Sequence, residues 1–95
     1  MRPVSTPTDA PVRRAEECVQ VRFWAGARAA AGQDQVDLPV ATLGDLRTQL
    51  QAWRPALAPV LEVSSLLLDG LNVRDDDVVL APGSRIEVLP PFAGG

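Results

Sequence analysis

Histidine, lysine and tyrosine are absent from the 95-residue chain, and cysteine occurs once. Those gaps exclude a great deal of chemistry. No imidazole base, amine nucleophile, phosphate-gripping lysine or phenolic acid is available. One thiol cannot build a His/Cys metal site, and it cannot close an intramolecular disulfide. Catalysis by the chain unaided would rest on carboxylates, arginine or Cys18, so it is not expected to be an enzyme on its own. No apolar run approaches a membrane span. The opening MRPVSTPTDAPVRRAEE also lacks the apolar stretch of a secretory signal. The expected location is cytoplasmic, with no membrane partner.

Charge narrows the partners further. Nine basic residues, all arginine, stand against 12 Asp and Glu; beyond Glu16 the balance is 6 to 10, or −4. A fold with this balance is a poor phosphate binder, so no nucleic-acid partner is expected. A protein with a basic docking surface fits better.

What is present divides the chain into three parts. Residues 1–16 carry Pro3, Pro7 and Pro11 and few large apolar groups, and read as a flexible N-terminal extension. Residues 17–90 read as one folded domain, and 91–95 as a flexible C-terminal tail ending in Gly-Gly. Within the domain, CVQVRFW alternates: Val19, Val21 and Phe23 fall on one face, Cys18, Gln20, Arg22 and Trp24 on the other. AGARAAAG follows, too small to anchor much, as a short helical turn or loop. QDQVDLP reads as a second strand.

Thr42 opens the main helix, with Asp45 three residues on as a variant capping box. Leu43, Leu46, Leu50 and Trp53 make one narrow apolar stripe, read as core, and Pro55 ends it. Leu57, Val60 and Leu61 continue the packing through an irregular turn. SLLLDG and LNV are strand-like pieces broken at Asp69-Gly70. Asp75-Asp76-Asp77 lacks calcium-loop spacing and a closing glutamate, so it reads as a solvated turn, with no metal site. RIEVLP is the last strand.

The order is strand, strand, helix, strand, short strand, strand. One helix covers one face of a small mixed sheet, an α+β arrangement of the β-grasp (ubiquitin-like) type, with the first and last strands parallel neighbours in its middle. Val19, Val21 and Phe23 then face the helix with Ile86 and Val88. Arg22, Trp24, Glu87 and Leu89 face away, with Arg22 and Glu87 placed to pair across the strands. Trp24 and Leu89 meet where the tail leaves. They form either a docking surface or a site where Trp24 is merely covered by the N-terminal tail or a loop, and both readings stay open.

The tail LPPFAGG has its own physical logic. Pro90-Pro91 fixes two φ angles and favours an extended exit. Phe92 is a single apolar anchor, and Pro91 and Ala93 flank it. Gly94 and Gly95 have no side-chain bulk, and their backbone can be gripped closely. Five residues past Pro90 reach about 16 Å, enough to thread a narrow channel. What such an arm delivers is the Gly95 α-carboxylate, a poor electrophile until ATP converts it to an acyl-adenylate. No phosphate-binding loop is present, so another enzyme would carry out that step.

From Val19 to Gly95, VRFWAGARAAAG, TLGDLRTQL and PGSRIEVLPPFAGG resemble the MoaD/ThiS family of ubiquitin-like sulfur carriers. The ending and the FWAGARAAAG segment are most similar to the MoaD type, the small subunit of molybdopterin synthase. The resemblance implies that Gly95 is adenylated by an E1-like (MoeB-like) enzyme using ATP and Mg²⁺, then converted to a thiocarboxylate with sulfur from a donor. No cofactor would be bound by this chain. The charged tail would enter the large synthase subunit (MoaE-like), supplying sulfur for the dithiolene of molybdopterin, the ligand of the molybdenum cofactor. Gly94 and Gly95 carry over from the family motif. Phe92, Pro91, Ala93, Leu89 and Trp24 are docking residues by inference.

A carrier for thiamine thiazole, cysteine or another sulfur-containing metabolite also needs Gly95, and a plain β-grasp binding module does not. Cys18, with no cation near in sequence, is read as a spectator and not a sulfur relay.

Overall fold

The structure, a computed structural model, describes residues 17–91. The expected extension 1–16 and the tail residues Phe92, Ala93, Gly94 and Gly95 lie outside the described residues.

Alternation in the opening strand produces β1, Val19–Phe23, whose odd positions are buried and even positions half-buried. Ala25–Ala31 follows as α1, Gln35–Leu38 as β2, Leu43–Trp53 as α2 and Leu57–Val63 as α3. Ser65–Leu68, Leu71–Val73 and Arg85–Leu89 are β3, β4 and β5. One sheet contains all five strands in the order β2-β1-β5-β3-β4. β5 lies parallel to β1, with Arg22 beside Glu87 and Phe23 beside Val88, and antiparallel to β3, with Leu67 beside Glu87. This is the β-grasp arrangement, with the first and last strands adjacent.

The helix side of the sheet holds the core. Val19, Val21, Ile86 and Val88 are fully buried against Leu43, Leu46 and Leu50 of α2. The Thr42 hydroxyl accepts from the Asp45 N–H at 3.1 Å, so the expected cap forms. Phe23 stacks on Trp53 with centroids 6.1 Å apart. Arg54 lies over the other aromatic partner, 4.2 Å from the Trp53 ring centre. Its Nε donates to the Ala31 carbonyl at 3.0 Å, tying the end of α1 to the end of α2.

Three expectations are corrected. AGARAAAG is a helix that anchors: Ala27 and Ala31 are fully buried, because methyl groups let α1 approach the sheet closely. The irregular turn after Pro55 is α3, which tolerates Pro59 in its first turn, where an N–H has no intrahelical acceptor. Cys18, expected to open the first strand, stands just before it and is buried. The strand starts one residue later, and the Cys18 carbonyl accepts from the Gly83 N–H at 2.9 Å, folding the turn before β5 inward.

At Asp69-Gly70 both residues take positive φ, 47° and 90°, the geometry of a tight hairpin between β3 and β4. Ala25 also has a left-handed φ of 48°, at the abrupt change from β1 to α1. A Cβ in that region costs about 1–2 kcal/mol, against about 0.5–1 kcal/mol of extra chain entropy for glycine. Ala25→Gly is expected to raise stability by roughly 0.5–1 kcal/mol, read as a melting point a few degrees higher.

Candidate functional site

The end of the sheet at which β5 leaves is built by register. Phe23 and Val88 are partners and both point into the core, so Trp24 and Leu89, one residue further, share the opposite face. The Trp24 N–H donates to the Val88 carbonyl at 3.2 Å, which carries the parallel pairing to the last turn of the strand. Trp24 keeps 40% of its surface exposed. Leu89 is half-buried and Pro91 exposed.

The same face extends across the sheet. Leu67 of β3 is opposite Glu87 and half-buried, so it widens the apolar surface beside Leu89. Sequence reading missed it, because a run of three leucines has no alternation to say which one turns outward. The Leu66–Val73 register and the burial of Leu66 decide the parity.

The expected Arg22–Glu87 pair is corrected. The two residues are in register, but the ion pairs within the described residues are Arg28 with Asp34 and Arg47 with Asp76. Arg22 instead lies over the Trp24 ring, 4.9 Å from its centre, a cation–π contact that shields the indole and holds it on this face. Arg85 donates from Nε to the Gln20 side chain at 2.9 Å.

Away from this face the polar groups serve the fold. Asp76 accepts from Arg47 at 3.0 Å, and the Asp75 carboxylate accepts from the Asp77 N–H at 3.0 Å. A polar groove of about 680 Å³ between α3 and the β3–β4 hairpin includes Arg47 and Arg74 in its wall. Among the described residues no group of three His, Cys, Asp or Glu side chains could hold a metal ion, and no helix is long and apolar enough to cross a membrane. The Cys18 thiol is buried. Within the described residues this face presents Trp24, Leu67 and Leu89 beside Arg22, Arg85 and Glu87 at the end where β5 leaves the sheet.

The ThiS family matches residues 21–95, from the second inward residue of β1 to the final glycine. The chain belongs to the ThiS family. This ThiS-family chain is a ubiquitin-like sulfur-carrier domain in fold, and its likeness to solved structures agrees. Subunit 1 of the molybdopterin-converting factor of Helicobacter pylori, solved in complex with subunit 2, is represented by a structure with 27% identity and a TM-score of 0.66. That match covers 82% of this chain and 99% of the other. The small archaeal modifier protein 1 of Methanosarcina acetivorans has 26% identity and a TM-score of 0.73, covering 82% and 96%. Its namesake from Haloferax volcanii has 25% identity and a TM-score of 0.71, covering 82% and 99%. No curated protein sequence matches the chain.

Proposed function

We propose that this ThiS-family chain is the sulfur-carrying small subunit of a molybdopterin synthase, with Gly95 as the group that is charged. The observation that carries the reading is the family match running to Gly95 on a tail that leaves a central strand beside Trp24 and Leu89. In the proposed cycle an E1-like enzyme binds ATP and Mg²⁺, and the Gly95 carboxylate attacks the α-phosphate, releasing pyrophosphate. A sulfur donor then displaces AMP from the acyl-adenylate, leaving a thiocarboxylate. Phe92, Pro91 and Ala93 would line the path into the large subunit, and Leu89 and Trp24 would seat its surface. This chain contributes reach, fit and one carboxylate; its partners supply the catalysis.

The likeness to the H. pylori subunit, solved with its partner, supports the molybdopterin assignment. The comparable likeness to two small archaeal modifier proteins supports a second reading, in which the same charged tail serves a different acceptor. Intact-mass measurement after incubation with ATP, Mg²⁺, the host's activating enzyme and a sulfur source tests the shared step. The expected result is a gain equal to replacing one oxygen by sulfur. No gain, with the activating enzyme competent on another carrier, would reject both readings. Addition of the large subunit and the cyclic pyranopterin substrate then separates them, because only the first predicts dithiolene product.

A further inference from the structure

At the end of the sheet opposite the exit of β5, the chain enters the domain along a mostly apolar groove. Val40 and Leu80 are its buried floor, and Pro39, Val79 and Pro82 stand exposed along its walls. Two short segments build it side by side. The Leu80 N–H donates to the Ala41 carbonyl at 2.8 Å, and Thr42 and Val79 form an antiparallel bridge. A third segment joins them where the Gly83 N–H donates to the Cys18 carbonyl at 2.9 Å, so that Glu17 and Pro82 share the groove wall. The groove has a volume of about 500 Å³. Val79 keeps 73% of its surface exposed, more than Leu71, Val63 or Trp24.

We propose that residues 10–16 of this chain, outside the described residues, fold back along the groove as a strap, with Pro11 and Val12 seated against Val79. Attachment selects this occupant. Sixteen residues precede Glu17, and Val12 lies five residues before it, a reach of up to about 17 Å. The groove therefore meets this segment at an effective concentration that a separate chain does not match. Ala10-Pro11-Val12 is the longest apolar run before Glu17. Pro11 has a fixed φ and no backbone N–H, so seating it orders little and strands no donor. Val12 then leaves water against Val79, whose own exposure the contact also removes. Charge agrees: residues 1–16 carry Arg2, Arg13 and Arg14 against Asp9 and Glu16, a net +1, beside a domain and tail at −4. Such a strap is independent of what the C-terminal tail carries. It would also hold residues 10–16 away from Trp24, because Glu17 precedes β1 and Trp24 follows its five residues, a span of about 16 Å.

Limited trypsin digestion of the full chain tests the strap, because Arg13 and Arg14 are cleavage sites next to the seated residues. Intact mass reports the loss of residues 1–13 or 1–14, and a synthetic peptide of residues 5–17 sets the unprotected rate. The wild type is expected to be cut there at least about 10-fold more slowly than Val79→Asp, which places a charge in the groove wall at an exposed position. Val79→Ile keeps the wall apolar and is expected to retain protection. Melting curves check that each variant is folded. Equal cleavage of wild type and Val79→Asp would overturn the proposal. Protection that survives dilution is expected of a strap within one chain; protection lost on dilution would make a second copy the occupant and overturn it. The unsubstituted chain gives an independent reading by nuclear Overhauser contacts. Contacts between the methyl groups of Val12 and those of Val79 or Val40 are expected, and their absence would also overturn it.

Discussion

Removing Gly95 alone is expected to leave the melting temperature unchanged and to bring sulfur transfer down to the background rate. One observation of the fold and the proposed carrier reading meet in that expectation. Stability resides in the packed layer of Val19, Val21, Ile86, Val88 and the α2 leucines, and no part of that layer depends on the last residue. On the proposed carrier reading, reactivity belongs to a terminal carboxylate. The shortened chain still ends in one, on Gly94, but withdrawn by about 3.4 Å. An error of 1 Å in placement can already lower a rate about 100-fold, so the deletion removes the activity without removing the functional group. Gly94→Val tests a different property of the same arm. Its length and carboxylate are unchanged, and the branched side chain obstructs a channel that admits bare backbone. The intact-mass assay should show no sulfur gain for the deletion and a severe loss for the valine variant. Ordinary sulfur gain by the deleted chain would return the diglycine to coincidence.

The fold was legible where pattern and burial coincide. β1 and α2 present their apolar residues at the periods of a strand and a helix, and both pack as those periods require. α1 and α3 were harder for opposite reasons. In α1 the residues that anchor are alanines, whose value lies in how closely they allow a backbone to approach, and composition reads that as lack of anchoring. In α3 seven residues give two turns, too few for a period to stand out, and Pro59 looks like a break unless its place in the first turn is known. The outer face was legible by parity once β1 and β5 were parallel neighbours: Trp24 and Leu89 follow from Phe23 and Val88. Parity alone could not decide the fate of Arg22. It has a carboxylate across the strand and an indole two residues along, and the choice between them is a rotamer choice that sequence does not encode.

Phe23→Ala and Trp24→Ala, adjacent in sequence, should have opposite consequences. Phe23 is 2% exposed and stacks on Trp53, while Arg54 covers Trp53 and holds the Ala31 carbonyl. Truncating Phe23 opens a cavity between β1 and the end of α2 and loosens the ring through which α1 is tied to both. The expected cost is about 3–5 kcal/mol. Domains of this size have a total stability of about 4–11 kcal/mol, at 0.05–0.15 kcal/mol per residue. The variant should therefore lose about a quarter or more of its stability, and urea unfolding would show a lower midpoint. Trp24 is 40% exposed on the outer face. Its truncation releases Arg22 and removes an exposed ring, a change expected to cost under about 1 kcal/mol. If the outer face is the docking surface, binding reverses the order. Trp24→Ala should weaken the complex with the tail-receiving subunit by 10-fold or more, as expected for an aromatic anchor. Phe23→Ala, kept below its unfolding midpoint, should bind within a few-fold of wild type. A folded Trp24→Ala variant with full affinity would place docking in the tail alone. The alternation of a single strand would then divide Phe23 from Trp24 in stability but not in binding.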